Sequence, residues 1–150
     1  MAGTGEQGLI LMFVLDTNHV GELTYRTAAG LRLLQRLDAA DQDAAVSAIT
    51  VEESLRGWLA QIRRNTEPRN QIAAYQRLTR QVEVFASWLV LPWDDDAADR
   101  FDSLKSLRQQ VGTQDLKIAC ICLTHDATLL TRNLADFKPV PGLRVENWLD

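Results

Sequence analysis

LILMFVLDTNHV, residues 9–20, decides the fold. Seven apolar residues run unbroken from Leu9 to Leu15 and stop on a carboxylate, Asp16, with Thr17 and Asn18 behind it. A strand with one wet face would alternate polar and apolar residues. An unbroken run of this length predicts a strand buried on both faces of a parallel sheet. The acid at its mouth then needs a reason, because taking a charge out of water is costly.

The chain of 150 residues is one domain long and can bury roughly 70% of its unfolded surface. Apolar residues at 46% and charged residues at 24% fit an ordinary globular protein. Residues 1–8 are polar and Gly-rich and are expected to be flexible, with the folded domain over 9–150 and Met12 as an alternative start. No run reaches the roughly 20 apolar residues of a membrane helix, and no basic n-region marks a signal peptide. A cytoplasmic location is therefore expected. Cys120 and Cys122 are two apart in a helical pattern, pointing in different directions, so buried free thiols are expected. The net charge of −4 argues against indiscriminate nucleic-acid binding.

Working outward from the first run, strands are expected over 45–49, 90–93, 128–131 and 143–145. Helices are expected over 51–65, 69–88, 97–110 and 114–123. Asn18 or Thr24 would open helices leading through Leu31, Leu33, Leu34 and Leu37. On the second long helix, Ile72, Tyr75, Leu78, Val82 and Phe85 form one stripe. Such alternation predicts a single α/β domain with a mainly parallel sheet of about five strands. In such sheets, sites form at the carboxyl ends of the strands, where strand order reverses.

Acids collect there. Asp16 closes the first strand, and could simply cap the next helix. Glu53 stands three residues after Thr50, the spacing of a capping box. Asp115 would be the second residue of a helix capped by Thr113, where the dipole favours its charge. Asp136 follows the fourth strand, after Thr131 and Asn133, and could hold a turn. If the four share a pocket they repel: two charges 4 Å apart cost about 4 kcal/mol at an effective dielectric near 20. Such a cluster stays ionised only around cations, or else part of it is protonated. Oxygen ligands without nearby Cys or His point to Mg²⁺ or Mn²⁺, and an ion of that kind can activate water against a phosphodiester. The acids at 94, 95 and 96 read as a strand-exit turn and helix cap. His19 and His125 lack a paired nucleophile and read as surface or turn residues. Trp58, Trp88, Trp93 and Trp148 read as core or dimer-interface residues.

Four stretches in order, FVLDTN (13–18), ITVEESLRG (49–57), GTQDLKIA (112–119) and TRNLADFKPVPGLRVENW (131–148), resemble the PIN-domain ribonucleases, in particular the VapC-type toxins of toxin–antitoxin pairs. The resemblance implies that Asp16, Glu53, Asp115 and Asp136 hold Mg²⁺ or Mn²⁺, supported by Asn18, Thr131 and Asn133. It selects Glu53 over its neighbour Glu52. It also implies metal-assisted hydrolysis of RNA to a 5′-phosphate and a 3′-hydroxyl, a small antitoxin partner and a homodimer. The ending VPGLRVENW is similar to the toxin branch described as acting on initiator tRNA.

Between Arg56 and Arg80 the chain carries six Arg and one acid, Glu67. Arg suits phosphate through its planar donor fork, which makes Arg56, Arg63, Arg64 and Arg69 candidates for RNA contact. A solvated helix face or antitoxin pairing would use them equally well. Aspartyl-phosphate chemistry also puts an Asp after a strand, but the dehalogenase pattern needs a second Asp where this chain has Asn18. The stronger rival is a PIN domain that processes RNA, or binds RNA or protein, without being a toxin.

Overall fold

The structure, a computed structural model, describes residues 12–150. The expected flexible segment 1–8 and the beginning of the first strand, 9–11, lie outside the described residues. The elements in order are β1 (Met12–Leu15), α1 (Thr17–Thr24), α2 (Ala28–Ala40), β2 (Asp43–Ser47), α3 (Ala48–Arg63), a 3₁₀ turn (Pro68–Gln71), α4 (Ile72–Ala86) and β3 (Leu89–Leu91). Then follow α5 (Asp95–Leu104), a second 3₁₀ turn (Lys105–Leu107), α6 (Arg108–Val111), α7 (Thr113–Thr124), β4 (Thr128–Leu130), α8 (Leu134–Phe137) and β5 (Arg144–Glu146).

The five strands lie in the order β3-β2-β1-β4-β5, and every neighbouring pair is parallel. Strand β1 is central, with Leu15 beside Val46 on one side and Leu130 on the other. Its unbroken apolar character follows from period-two alternation between two cores. Val14 packs with Ala45, Leu116, Ile121 and Leu129 on one face. Phe13 and Leu15 pack with Leu33, Val46, Phe85 and Trp148 on the other. Because β2 and β3 run to one side of β1 while β4 and β5 lie on the other, strand order reverses between β1 and β4. The crevice at the carboxyl ends is there.

Several local readings need correction. Helix α3 starts at Ala48, so the second strand ends at Ser47, and Ser47 rather than Thr50 is the cap: its Oγ accepts the Thr50 N–H at 3.1 Å. Glu53 then sits in the second turn, beyond reach of a capping box. Helix α1 begins behind Asp16 and α2 behind Thr27, whose Oγ1 accepts from Gly30 N at 3.0 Å; neither Asn18 nor Thr24 caps. Thr113 is the first residue of α7 and Gly112 precedes it with φ of +90°, a conformation glycine adopts without strain. Asp94 does cap α5, with Oδ1 accepting from Ala97 N at 3.0 Å.

The stripe on α4 is mostly outside the core: Ile72, Tyr75 and Val82 are about half exposed, and only Phe85 is buried. Leu31 and Leu34 are likewise exposed, while Leu33 and Leu37 are buried. Helical periodicity reports a face, not what covers it. Both cysteines are free and buried as expected; burial pushes the Cys120 thiol up to about 11 and raises Cys122 further. His19 is fully buried, against expectation. Its Nδ1 meets Asn18 Oδ1 at 2.8 Å and its Nε2 meets the Trp148 N–H at 3.2 Å. A carbonyl on one nitrogen and an N–H on the other require a neutral ring protonated at Nδ1. Burial, with Arg132 as the next cause, accordingly lowers its pKa to about 4.

Candidate active site

Asp16 leaves β1 at the switch point and is 6% exposed. Its main-chain N–H donates to Leu130 O at 2.9 Å, extending the β1–β4 pairing by one residue. Its two carboxylate oxygens have separate tasks. Oδ1 accepts the Thr17 N–H at 2.8 Å and caps α1, while Oδ2 accepts the Thr131 hydroxyl at 2.9 Å. The capping reading of Asp16 therefore holds for one oxygen, and the other is tied to β4 through Thr131. Thr131, fully buried just after β4, also accepts from Asn133 N at 3.1 Å, so one hydroxyl ties the β4 exit to the acid at the β1 exit.

The remaining acids arrive from helices that open on the same edge. Glu53 is half-buried on α3, and its pKa is raised by burial and then by Asp16, Asp115 and Glu52. Asp115, in the first turn of α7, is pushed up to about 6 by burial, then by Asp16 and Asp136. Asp136 is exposed on the short α8. Each of the four thus feels, or is felt by, another member of the set. Among the described residues none of them forms an ion pair with Lys, Arg or His.

Glu52 turns elsewhere: it pairs with Arg56 at 2.5 Å and accepts from Gln114 Nε2 at 3.0 Å. Of the adjacent carboxylates, Glu53 is the one left facing the basin. Asn18 does not point its amide oxygen at the acids; that atom takes His19 Nδ1 and, at 3.4 Å, the Arg132 N–H. It holds the rim. Asn133 precedes α8 without a side-chain capping bond and is exposed.

Carboxylate oxygen is the donor type that a hard divalent ion takes, and the uncompensated charge calls for one. Among the described residues, no three His, Cys, Asp or Glu side chains already converge at ligating distance of one point. Mg²⁺ does not require it, since one or two carboxylates plus water commonly suffice. The residues present fit such an ion.

Of the arginines, Arg56 is engaged with Glu52, Arg77 lies over the Trp58 ring at 5.7 Å, and Arg80 donates through Nε to Thr24 O at 2.9 Å. Arg63, Arg64 and Arg69 are exposed around the far end of α3. At 1.5 Å per residue, Arg63 is roughly 15 Å along the helix from Glu53.

A parallel sheet with acids gathered where its strand order reverses is the plan of a PIN domain. The chain belongs to that family, whose model, described as PIN domain, matches residues 13–143. Within it the chain falls in the VapC group. It is 30% identical over 145 residues to Ribonuclease VapC2 of Haemophilus influenzae, an alignment covering 93% of this chain and 100% of that one. Its fold is similar to VapBC-1 of nontypeable Haemophilus influenzae (TM-score 0.72, 21% identity, 93% of this chain and 100% of the other). It is similar also to a toxin–antitoxin complex of Klebsiella pneumoniae (TM-score 0.62, 24% identity, 90% and 96%). Among the described residues no helix is long and apolar enough to cross a membrane.

What the sequence did not disclose is the wall beside Glu53. A cavity of about 300 Å³ is lined by Thr17, Gly21, Tyr25, Glu53, Trp58 and Gln81, among others. The tryptophan drew only a packing interpretation, and Tyr25 drew none. Their meeting depends on how α1 and α3 cross.

Proposed function

We propose that this protein is a metal-dependent endoribonuclease, the toxin of a type II toxin–antitoxin pair, and that it cuts a structured RNA such as tRNA. The carrying observation is the set of four acids, Asp16, Glu53, Asp115 and Asp136, with no cationic side chain paired to any of them among the described residues. Membership in the VapC group, with a relative named a ribonuclease, supports the reaction class.

A divalent ion held by these acids would supply charge stabilisation of the phosphoryl oxygens and an acidified water. Asp16 is fixed for this by Thr17 N–H and the Thr131 hydroxyl, so little reorganisation is needed when charge develops. Asp115, with a pKa raised to about 6, can accept a proton near neutral pH at a carboxylate oxygen. Glu53, on α3 and within electrostatic reach of Asp115, would orient the attacking water or share the ion. The exposed cations Arg63, Arg64 and Arg69 would guide the RNA backbone toward the acids. A small antitoxin would place a basic side chain among the acids, and the exposed apolar side chains of α4 offer surface for it or for a second copy of this chain.

The test is end-mapping of total cellular RNA incubated with purified protein, with Mg²⁺ or with EDTA, and with Asp115→Asn. A discrete cut that needs both the ion and Asp115 is expected. Cleavage that survives EDTA or the substitution would remove the acid set from the reaction.

A further inference from the structure

The cavity beside Glu53 runs between α1 and α3 and reaches Gln81 on α4. Tyr25 and Trp58 meet on its wall edge to face, centroids 6.4 Å apart at 72°. Gln81, 4% exposed, lines the cavity, and its Nε2 donates a long 3.4 Å bond to Thr24 Oγ1. Gln61 adds a second amide. Gly21 and Gly57 lie in helices where alanine would be preferred, yet a Cβ on either would meet nothing within 4 Å. Close packing of the helices therefore does not explain these glycines, and both line the cavity. Aromatic faces, neutral amides with both donor and acceptor capacity, and a carboxylate of the acid set on the rim match one kind of ligand. Unstacked bases are held by aromatic stacking and by hydrogen bonds to their edges.

We propose that this cavity takes one unstacked nucleobase of the strand being cut, next to the phosphate presented to the acids. The inference rests on the ribonuclease reading and adds a base-recognition site to it. Arg77, 5.7 Å from the Trp58 ring centroid, and Arg80, within electrostatic reach of Tyr25, place positive charge where the flanking phosphates would pass.

The test uses the intact protein in EDTA and the four neutral ribonucleosides as probes, so neither metal nor cleavage enters. In ¹H–¹⁵N spectra, the Trp58 indole N–H and the Gln61 and Gln81 amides should shift on titration in the millimolar range. Gly57→Leu, which fills open space in a helix and should leave the fold intact, should abolish those shifts. On an RNA that the protein cleaves, replacing the base at the recognised position by an abasic ribose should lower kcat/KM by roughly 5- to 150-fold for the native protein. The same replacement should change the Gly57→Leu rate by less than twofold. Metal-dependent cutting with unmoved nucleoside signals would overturn the base site while leaving the nuclease standing. Saturable shifts without any cutting would uphold the base site and remove the nuclease. If nucleosides fail and Gly57→Leu instead abolishes binding of the antitoxin, the cavity is a protein-docking site and the proposal is wrong.

Discussion

Asp115→Asn should stabilise the protein while ending its activity. The native carboxyl is raised from 3.8 to about 6 by burial and by the charges of Asp16 and Asp136. A folded-state pKa above the unfolded one means that the folded chain holds more protons between those values. Stability is therefore highest below about 4, falls as pH rises through 6, and stays reduced above it. The whole shift corresponds to ~3 kcal/mol. The group is only half-buried, and solvent screening brings this to roughly 1.5 kcal/mol. Asparagine also forfeits about 0.5 kcal/mol of interaction between the charge and the α7 dipole. The net gain is about 1 kcal/mol, an increase of ~3 °C in Tm for a domain of this size. Thermal unfolding followed by circular dichroism at pH 7.5 in EDTA should show this rise, and the gap should close as the pH approaches 4. With millimolar Mg²⁺ at pH 7.5 the order should reverse, because only the native protein gains from the ion. A variant melting at or below the native protein in EDTA at pH 7.5 would falsify the account of repelling acids.

The same pKa makes ion binding pH-dependent: Mg²⁺ affinity measured by calorimetry should fall about tenfold per unit below pH 6, and a flat profile from 7 to 5 would contradict it. Thr131→Val removes the hydroxyl from Asp16 Oδ2 and leaves a buried carboxylate short of a partner, costing about 1–3 kcal/mol of stability by denaturant melt and reducing kcat more than KM. Gly30→Ala drives a Cβ to 2.0 Å from Glu22 O in the main chain where α1 and α2 cross, so loss of several kcal/mol is expected; an unchanged melt would refute a tight crossing there. For His19 the folded pKa lies below the unfolded value, so stability is full above about 6.5 and is lost as pH falls toward 4. His19→Gln, which keeps a donor and an acceptor, should flatten that part of the native pH profile.

The sequence carried the fold wherever period and polarity were unambiguous. Leu9–Leu15 implies a strand buried on both faces of a parallel sheet, and β1 packs against a core on each face. It placed most helices within a few residues, but read 97–110 as one helix where the chain forms α5, a 3₁₀ turn and α6. It also mistook the start of α3, because Ser47 and Thr50 are both good caps and only the sheet register decides where the strand ends. That error mattered for Glu53, which lost its structural alibi when the cap moved to Ser47. His19 was misjudged because nothing local signals that the backbone at Trp148, far along the chain, returns to meet it. The apolar stripe of α4 was real as a pattern, but periodicity does not distinguish a core from a surface awaiting a partner. The sequence offers Thr131 only as a supporting polar position of a matched motif; its bond to Asp16 depends on β4 crossing to the far side of β1.

That crossing has a consequence for biosynthesis. Asp16 and Glu53 belong to the portion of chain made first, whereas Asp115, Thr131 and Asp136 are translated late, the last two following β4 on the opposite side of β1. A polypeptide still emerging from the ribosome carries half a basin and lacks the hydroxyl that orients Asp16. If these acids form the active site as proposed, cleaving power arises only near the end of translation. A lethal enzyme built on this strand order would be harmless to the ribosome assembling it, and premature termination upstream of β4 would release inert fragments.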